Sequence, residues 1–183
     1  MSQNPIDLLE EENRYIARVV SAAERLAEKL AANQPVEAKT LQDVADFMLL
    51  YADKCHHGKE EGKLFPLLKK RGVPTHSCPL EALISEYGIS RTLVRGLAEA
   101  VAAYRRADPA ATMLLIKNLR GIAELYPNHI WKEDHLLFPV SHNVLSTEDQ
   151  YDLALEFESV EQELGWEMYE HFEQLSEQLA LTV

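Results

Sequence analysis

The chain has 183 residues and a formal net charge of −12 at neutral pH, so its surface lacks the clustered Lys and Arg that phosphate contacts need. Nucleic acid is excluded as an expected partner, no apolar run approaches the roughly 20 residues that span a bilayer, and Met1-Ser2-Gln3-Asn4-Pro5 holds no basic leader region, so a cytoplasmic protein is expected. Its 7 Gly and 8 Pro are few, Leu, Ala and Glu are plentiful, and the length suits one domain over 1–183, which together indicate an all-α fold.

In chain order, Asn4-Pro5 offers a capping side chain followed by a residue suited to the first helical position. The helix it opens runs over about 6–32, with Leu9, Ile16, Val19, Val20, Ala23, Leu26 and Leu30 on one face, and Asn33-Gln34-Pro35 ends it. A second helix, about 38–70, carries Leu41, Val44, Ala45, Met48, Leu49 and Ala52 along a stripe that reaches His56; Pro66 should kink or shorten its last turns. Residues 71–77 have turn chemistry, with Gly72, Pro74 and Ser77. A third helix covers about 79–106, and Asp108-Pro109 reads as the cap and first residue of a fourth that ends near 138. Ser146-Thr147-Glu148-Asp149 is a capping box opening a fifth helix over about 146–181. Short loops between long helices predict an antiparallel four-helix bundle with an additional C-terminal fifth helix. The two cysteines, Cys55 and Cys78, form no C-x-x-C pair and are expected to be free thiols.

One stretch occurs twice. His56-His57-Gly58-Lys59-Glu60-Glu61 leads to Leu64-Phe65-Pro66, and His129-Ile130-Trp131-Lys132-Glu133-Asp134 leads, at the same interval, to Leu137-Phe138-Pro139. Glu12, Val19 and Val20 match Glu86, Leu93 and Val94 more weakly, so the halves, about 6–70 and 79–139, repeat a helical hairpin. On a helix His56 and Glu60 stand one above the other, as do His129 and Glu133. A single His-x-x-x-Glu is ordinarily a surface ion pair. Here Leu49, Ala52, Leu64 and Leu67 flank the first motif, and Ile122, Leu125, Tyr126, Leu136 and Leu137 the second, which turns both toward the core. Polar groups there must be paired or bound to a metal. Two imidazoles with two carboxylates suit iron, manganese or zinc, and no thiolate is placed for a soft-metal or Fe–S site. Cys55 points about 100° away from His56 on an ideal helix and is first a packing residue. No histidine has a Glu three residues before it, which sets the chain apart from ferritin-like bundles.

With these motifs the chain resembles the hemerythrin-like (HHE cation-binding) family over most of its length. The resemblance implies a four-helix bundle around a non-haem iron site, most often a di-iron one, that binds oxygen, nitric oxide or peroxide or senses iron or redox state. It makes His56, Glu60, His129 and Glu133 metal ligands, with the two glutamates as bridges. The chain departs from the family pattern where Asn13 follows Glu12, Tyr87 follows Glu86 and Tyr169 precedes Glu170, since histidines are usual there. Tyr87 or Tyr169 as phenolates, Glu12 or Glu86 as carboxylates, and His57 or Glu61 turned inward are the candidates to complete the site. For each tyrosine the alternative is a core aromatic with a hydrogen-bonded hydroxyl. Glu163, Glu167 and His171 fit a solvated face, and His76, His135 and His142 are expected at the surface.

Three functions compete on this evidence: a hemerythrin-like protein handling or sensing oxygen, nitric oxide or peroxide, a non-catalytic metal-binding or sensing module with a depleted ligand set, and a metal-free helical interaction domain. Peroxidase, catalase-like or oxidase turnover belongs to the first alone. The expected cofactor is an iron pair, with manganese or zinc as substitutes. The expected partners are a small diatomic or peroxide ligand and, at most, a second copy of the chain.

Overall fold

Every regular element in the computed structural model is helical, and no strand occurs among the residues it describes, 4–74 and 79–183. Helix α1 is Pro5–Ala31, started by the Asn4 side chain accepting from the Ile6 amide and ended by Asn33 at φ 54°. Helix α2 runs unbroken over 38–70: Ala38–Asp46, then wide π-helical turns at Phe47–His57 and Glu60–Leu64, then Phe65–Lys70. Helix α3 is Pro79–Arg105. Helix α4 comprises Ala111–Lys132, a wide turn at Glu133–Leu137, and Phe138–Val144. Helices α5, Thr147–Leu164, and α6, Trp166–Thr182, complete the chain.

The bundle of α1 to α4 and the Ser146–Asp149 capping box are as predicted. Three boundaries are corrected. The expected fifth helix is two helices, because Gly165 at φ 92° and ψ 129° takes a backbone conformation closed to L side chains and turns the chain. The fourth helix continues past Phe138-Pro139 to Val144. It begins at Ala111, because the Asp108 side chain accepts from the Ala110 amide and holds a turn first.

Neither motif proline breaks its helix. Pro66 and Pro139 lack the N–H that the ladder needs, and in both places the preceding turn is widened: Phe65 N–H bonds to Glu60 O, and Phe138 N–H to Glu133 O. The repeated Leu-Phe-Pro exit thus places a π-helical turn on each motif glutamate. The widened register from Phe47 onward also corrects one core assignment, since Leu49 turns outward and is 36% exposed.

The core falls into two apolar clusters. One joins Ile16, Val19, Met48, Tyr51, Val94, Leu97, Leu119, Ile122, Tyr126 and Phe172; the other joins Ile6, Leu9, Leu64, Phe65, Leu83, Tyr87, Leu137, Phe138 and Phe157. Along α1, α2 and α4 the residues between the clusters are Glu12 and Asn13, His56 to Glu60, and His129 to Glu133. A buried polar layer therefore crosses the bundle between two apolar ones. At Gly121 an added Cβ would stand 2.5 Å from Leu93, so α3 and α4 approach closely beside this layer. No helix among the described residues is long and apolar enough to cross a membrane.

Candidate metal centre

His56 and Glu60 from α2 meet Glu133 from α4 at one buried point, each of the three 0% exposed. His56 Nε2 lies 3.8 Å from Glu60 Oε2 and 3.8 Å from Glu133 Oε2. That is too long for a hydrogen bond, yet it is the span of two donors each about 2.1 Å from a shared cation. Among the described residues His56 Nε2, Glu60 Oε1 and Glu133 Oε1 have no hydrogen-bond partner. Left so, each costs about 1–3 kcal/mol.

A second group adjoins the first. His129 Nε2 lies 2.8 Å from Glu133 Oε1, a charge contact that is not aligned as a hydrogen bond, and 3.3 Å from His57 Nε2. Within each trio, His56–Glu60–Glu133 and His57–His129–Glu133, the donor atoms lie within 4.8 Å of one another. Glu133 belongs to both. His57 reaches the centre beside His56 because each residue of a π-helical turn rotates the chain less than the 100° of an α-helix, so adjacent side chains share a face.

The Nδ1 atoms of His56 and His129 are held from behind. Glu12 Oε2 is 2.9 Å from His56 Nδ1, and Glu86 Oε2 is 2.9 Å from His129 Nδ1. Glu12 and Glu86 are in turn paired with Lys59 and Lys132. Each half of the repeat therefore contains a Lys–Glu–His chain that directs the Nε2 of its histidine at the centre. His57 Nδ1 faces Asp53 at 3.7 Å, and Arg91 holds Asp53 at 2.8 Å. Tyr87 donates to Glu60 Oε2 at 2.7 Å. The Asn13 amide donates to Glu133 Oε2 at 3.0 Å and to Asp134 Oδ1 at 3.1 Å.

The charges follow from this geometry. Burial works against the His56 imidazolium, but Glu60, Glu12 and Glu133 outweigh it and raise its pKa to about 10. His57 goes the other way: burial, helped by the His129 and His56 charges and opposed by Asp53, lowers it to about 4, so it is a neutral ring with a lone pair to offer. Glu12 is fully buried, which pushes its carboxyl up, yet Lys59 and His56 hold it down at about 2. Burial and the charge of Glu133 raise Glu60. Burial also acts to raise Glu133, but His129 and His56 keep it ionised, well below the usual carboxylate range.

Of the residues singled out in the sequence, His56, His57, Glu60, His129 and Glu133 converge. Glu12 and Glu86 stand behind the histidines instead of facing the centre. Glu61 does not turn in; it is exposed and paired with Arg91 at 2.6 Å. Tyr169 lies away from the centre with its hydroxyl on Glu12 Oε1 at 2.7 Å, while Tyr87 sits beside it as a hydrogen-bonded core aromatic. His135, His142 and His171 are exposed, as are Glu163 and Glu167. Cys55 is a buried free thiol; Cys78 and His76 lie outside the described residues. Sequence reasoning missed Lys59, Lys132, Asp53 and the amide of Asn13. The two lysines had left a signal, since each follows its motif histidine by three residues in both copies.

A helical bundle that crosses its core with a layer of unpaired His and Glu donors, contributed by a repeated hairpin, defines a cation-binding bundle. The description of the hemerythrin HHE cation-binding domain matches residues 4–141, and the chain belongs to that family. It is also similar to uncharacterized proteins of Mycobacterium tuberculosis and Mycobacterium bovis, 24% identical over 157 residues, which is 86% of this chain and 60% of each of theirs. The chain thus spans less than two thirds of the length of these relatives. No solved structure gives a significant match.

Proposed function

We propose that the buried layer holds two metal ions, iron by preference, and that the protein handles or senses oxygen, nitric oxide or peroxide there. His56, Glu60 and Glu133 would hold one ion, His57, His129 and Glu133 the other, with Glu133 shared. The observation that carries the reading is His56 Nε2, fully buried and without a hydrogen-bond partner among the described residues, 3.8 Å from each of two carboxylates. A metal-free interaction domain would have closed that gap with hydrogen bonds, because a buried donor left unpaired is costly. Imidazole with carboxylate suits iron, manganese or zinc. A bound iron pair would supply the redox electrons and the open coordination for a small oxidant or diatomic ligand. The chain's own part is to keep water out, to point Nε2 of His56 and His129 inward through Glu12 and Glu86, and to hold Glu60 and Glu133 through Tyr87 and Asn13.

One observation favours a non-catalytic sensing module as the second reading. The donors are 0–2% exposed, so substrate exchange would need the bundle to breathe, whereas metal occupancy alone would alter its packing. Metal quantitation of protein purified without added metal, with visible spectra before and after oxygen, nitric oxide and peroxide, tests both. Metal with spectral change and turnover supports the first reading, and metal without turnover supports the second. Protein that takes up no iron, manganese or zinc overturns both.

A further inference from the structure

The two Lys–Glu–His chains are equivalent in sequence but not in surroundings. Lys132 and Glu86 lie near the surface, with side chains 17% exposed, and among the described residues Lys132 pairs with Glu86 alone. Lys59 is wholly buried, and the helices after the repeat enclose it: Glu161 of α5 accepts from its Nζ at 2.6 Å. The rings of Phe157 on α5 and Tyr169 on α6 flank the same ammonium at 5.6 and 5.1 Å. Tyr169 then donates to Glu12 Oε1 at 2.7 Å, the carboxylate that holds His56. A buried ammonium is retained only where carboxylates and aromatic faces replace its water, and of the groups that do so here only Glu12 comes from outside α5 and α6.

Resting on the metal-centre reading above, we infer that Lys59, Glu161 and Tyr169 are positioning residues for His56, and that α5 and α6 are coupled through them to one of the two metal positions only. By fixing Glu12, they hold the His56 ring with Nδ1 engaged and Nε2 free toward the centre, the orientation a ligating histidine needs. The His129 ring, with Glu86 and Lys132 partly in solvent, is braced from α3 and α4, and α5 and α6 take no part in that bracing. Coupling is reciprocal: what α5 and α6 contribute to metal affinity at His56, metal at His56 returns to the docking of α5 and α6.

The full chain, loaded anaerobically with Fe(II) and separately with Mn(II), is compared with Glu161→Gln and Tyr169→Phe, both nearly isosteric, and with Lys132→Met as the control from the other half. Chelator competition reads the affinity of each ion, and amide hydrogen exchange reads each helix with and without metal. Glu161→Gln and Tyr169→Phe should each weaken one ion about tenfold, the scale of losing a group that orients a ligating histidine, and leave the other unchanged. Lys132→Met should weaken the other ion. Stripping the metal should speed exchange in α5 and α6, and the two variants should remove that difference; exchange in α1 and α3 checks that they remain folded. Equal weakening of both ions, no weakening, or exchange in α5 and α6 indifferent to metal overturns this inference while leaving the metal centre standing. Wild-type protein that binds no metal overturns both.

Discussion

Lys59→Met tests the buried charge network without any metal. The ammonium of Lys59 is 0% exposed and bridges Glu12, also 0% exposed, to Glu161, which is 5% exposed. Methionine keeps most of the volume between Phe157 and Tyr169 but leaves two buried carboxylates facing each other. Removing one partner of a buried ion pair costs about 3–5 kcal/mol, a large share of the roughly 5–15 kcal/mol that folds a domain. The near-equivalent Lys132→Met should cost under about 1 kcal/mol, because the Lys132–Glu86 pair keeps contact with solvent. Urea unfolding of the metal-free variants, with the slope unchanged and only the midpoint moved, measures the difference. Adding Glu161→Gln to Lys59→Met should recover part of the loss, since it removes one of the stranded charges. Equal midpoints for the two lysine variants would refute the claim that the C-terminal helices enclose a charged Lys59.

Proton release should accompany metal uptake, because His56 is protonated at neutral pH in the metal-free state, its pKa raised to about 10 by its carboxylate neighbours despite burial. The sign follows. A raised folded pKa stabilises fully below the unfolded value of 6.5, and that stability is lost as pH rises toward about 10, so metal-free protein weakens over this range while metal affinity climbs. The gain in melting temperature on adding Mn(II) should therefore be larger at about pH 8.5 than at about pH 6.5, and a smaller gain would count against the assignment. His57→Ala should lower metal content while Glu61→Ala should not, as read by metal analysis after dialysis, because only His57 faces the centre. Tyr87→Phe should leave the visible spectrum of ferric-loaded protein without any lost tyrosinate band, since the Tyr87 hydroxyl is committed as a donor to Glu60 Oε2 at 2.7 Å. The same variant should lower metal-free stability by about 1–3 kcal/mol through the unpaired Glu60 oxygen.

The bundle and its ligand pairs were legible because they rest on short-range periodicity: four-residue spacing puts His56 over Glu60 and His129 over Glu133, and caps at Asn4 and Ser146 fix helix starts. The polar layer could be placed for the same reason, apolar residues bracketing the motif in each copy of the repeat. What escaped was whatever depends on departure from the ideal helix. The π-helical turns at Phe47–His57 swung Leu49 out, and no pattern of 3.6 residues foresees that, whereas His57 was a candidate through the family resemblance and does turn in. Glu61 and Glu60 are adjacent carboxylates in a sequence. Four-residue spacing turns Glu60 inward with His56, and the position of Arg91 on the neighbouring helix shows that Glu61 does not follow it. The break at Gly165 was hidden by good helix formers on both sides, although glycine is where such a turn is cheapest.

The repeat also shows why the two donor trios differ. Counting at the motif interval, His129 answers to His56, Lys132 to Lys59 and Glu133 to Glu60, but the residue answering His57 is Ile130, which packs partly buried against the larger apolar cluster. A symmetric centre would present four imidazoles. This one presents three, so the His56 trio has one imidazole and two carboxylates while the His129 trio has two imidazoles and the shared Glu133. More carboxylate favours the harder, more positively charged ion, and more imidazole favours the softer. The loss of symmetry at Ile130 and the added helices therefore act in the same direction. The carboxylate-rich position at His56 is also the one whose histidine is braced by the buried Glu12–Lys59–Glu161 network, and both features favour holding charge there.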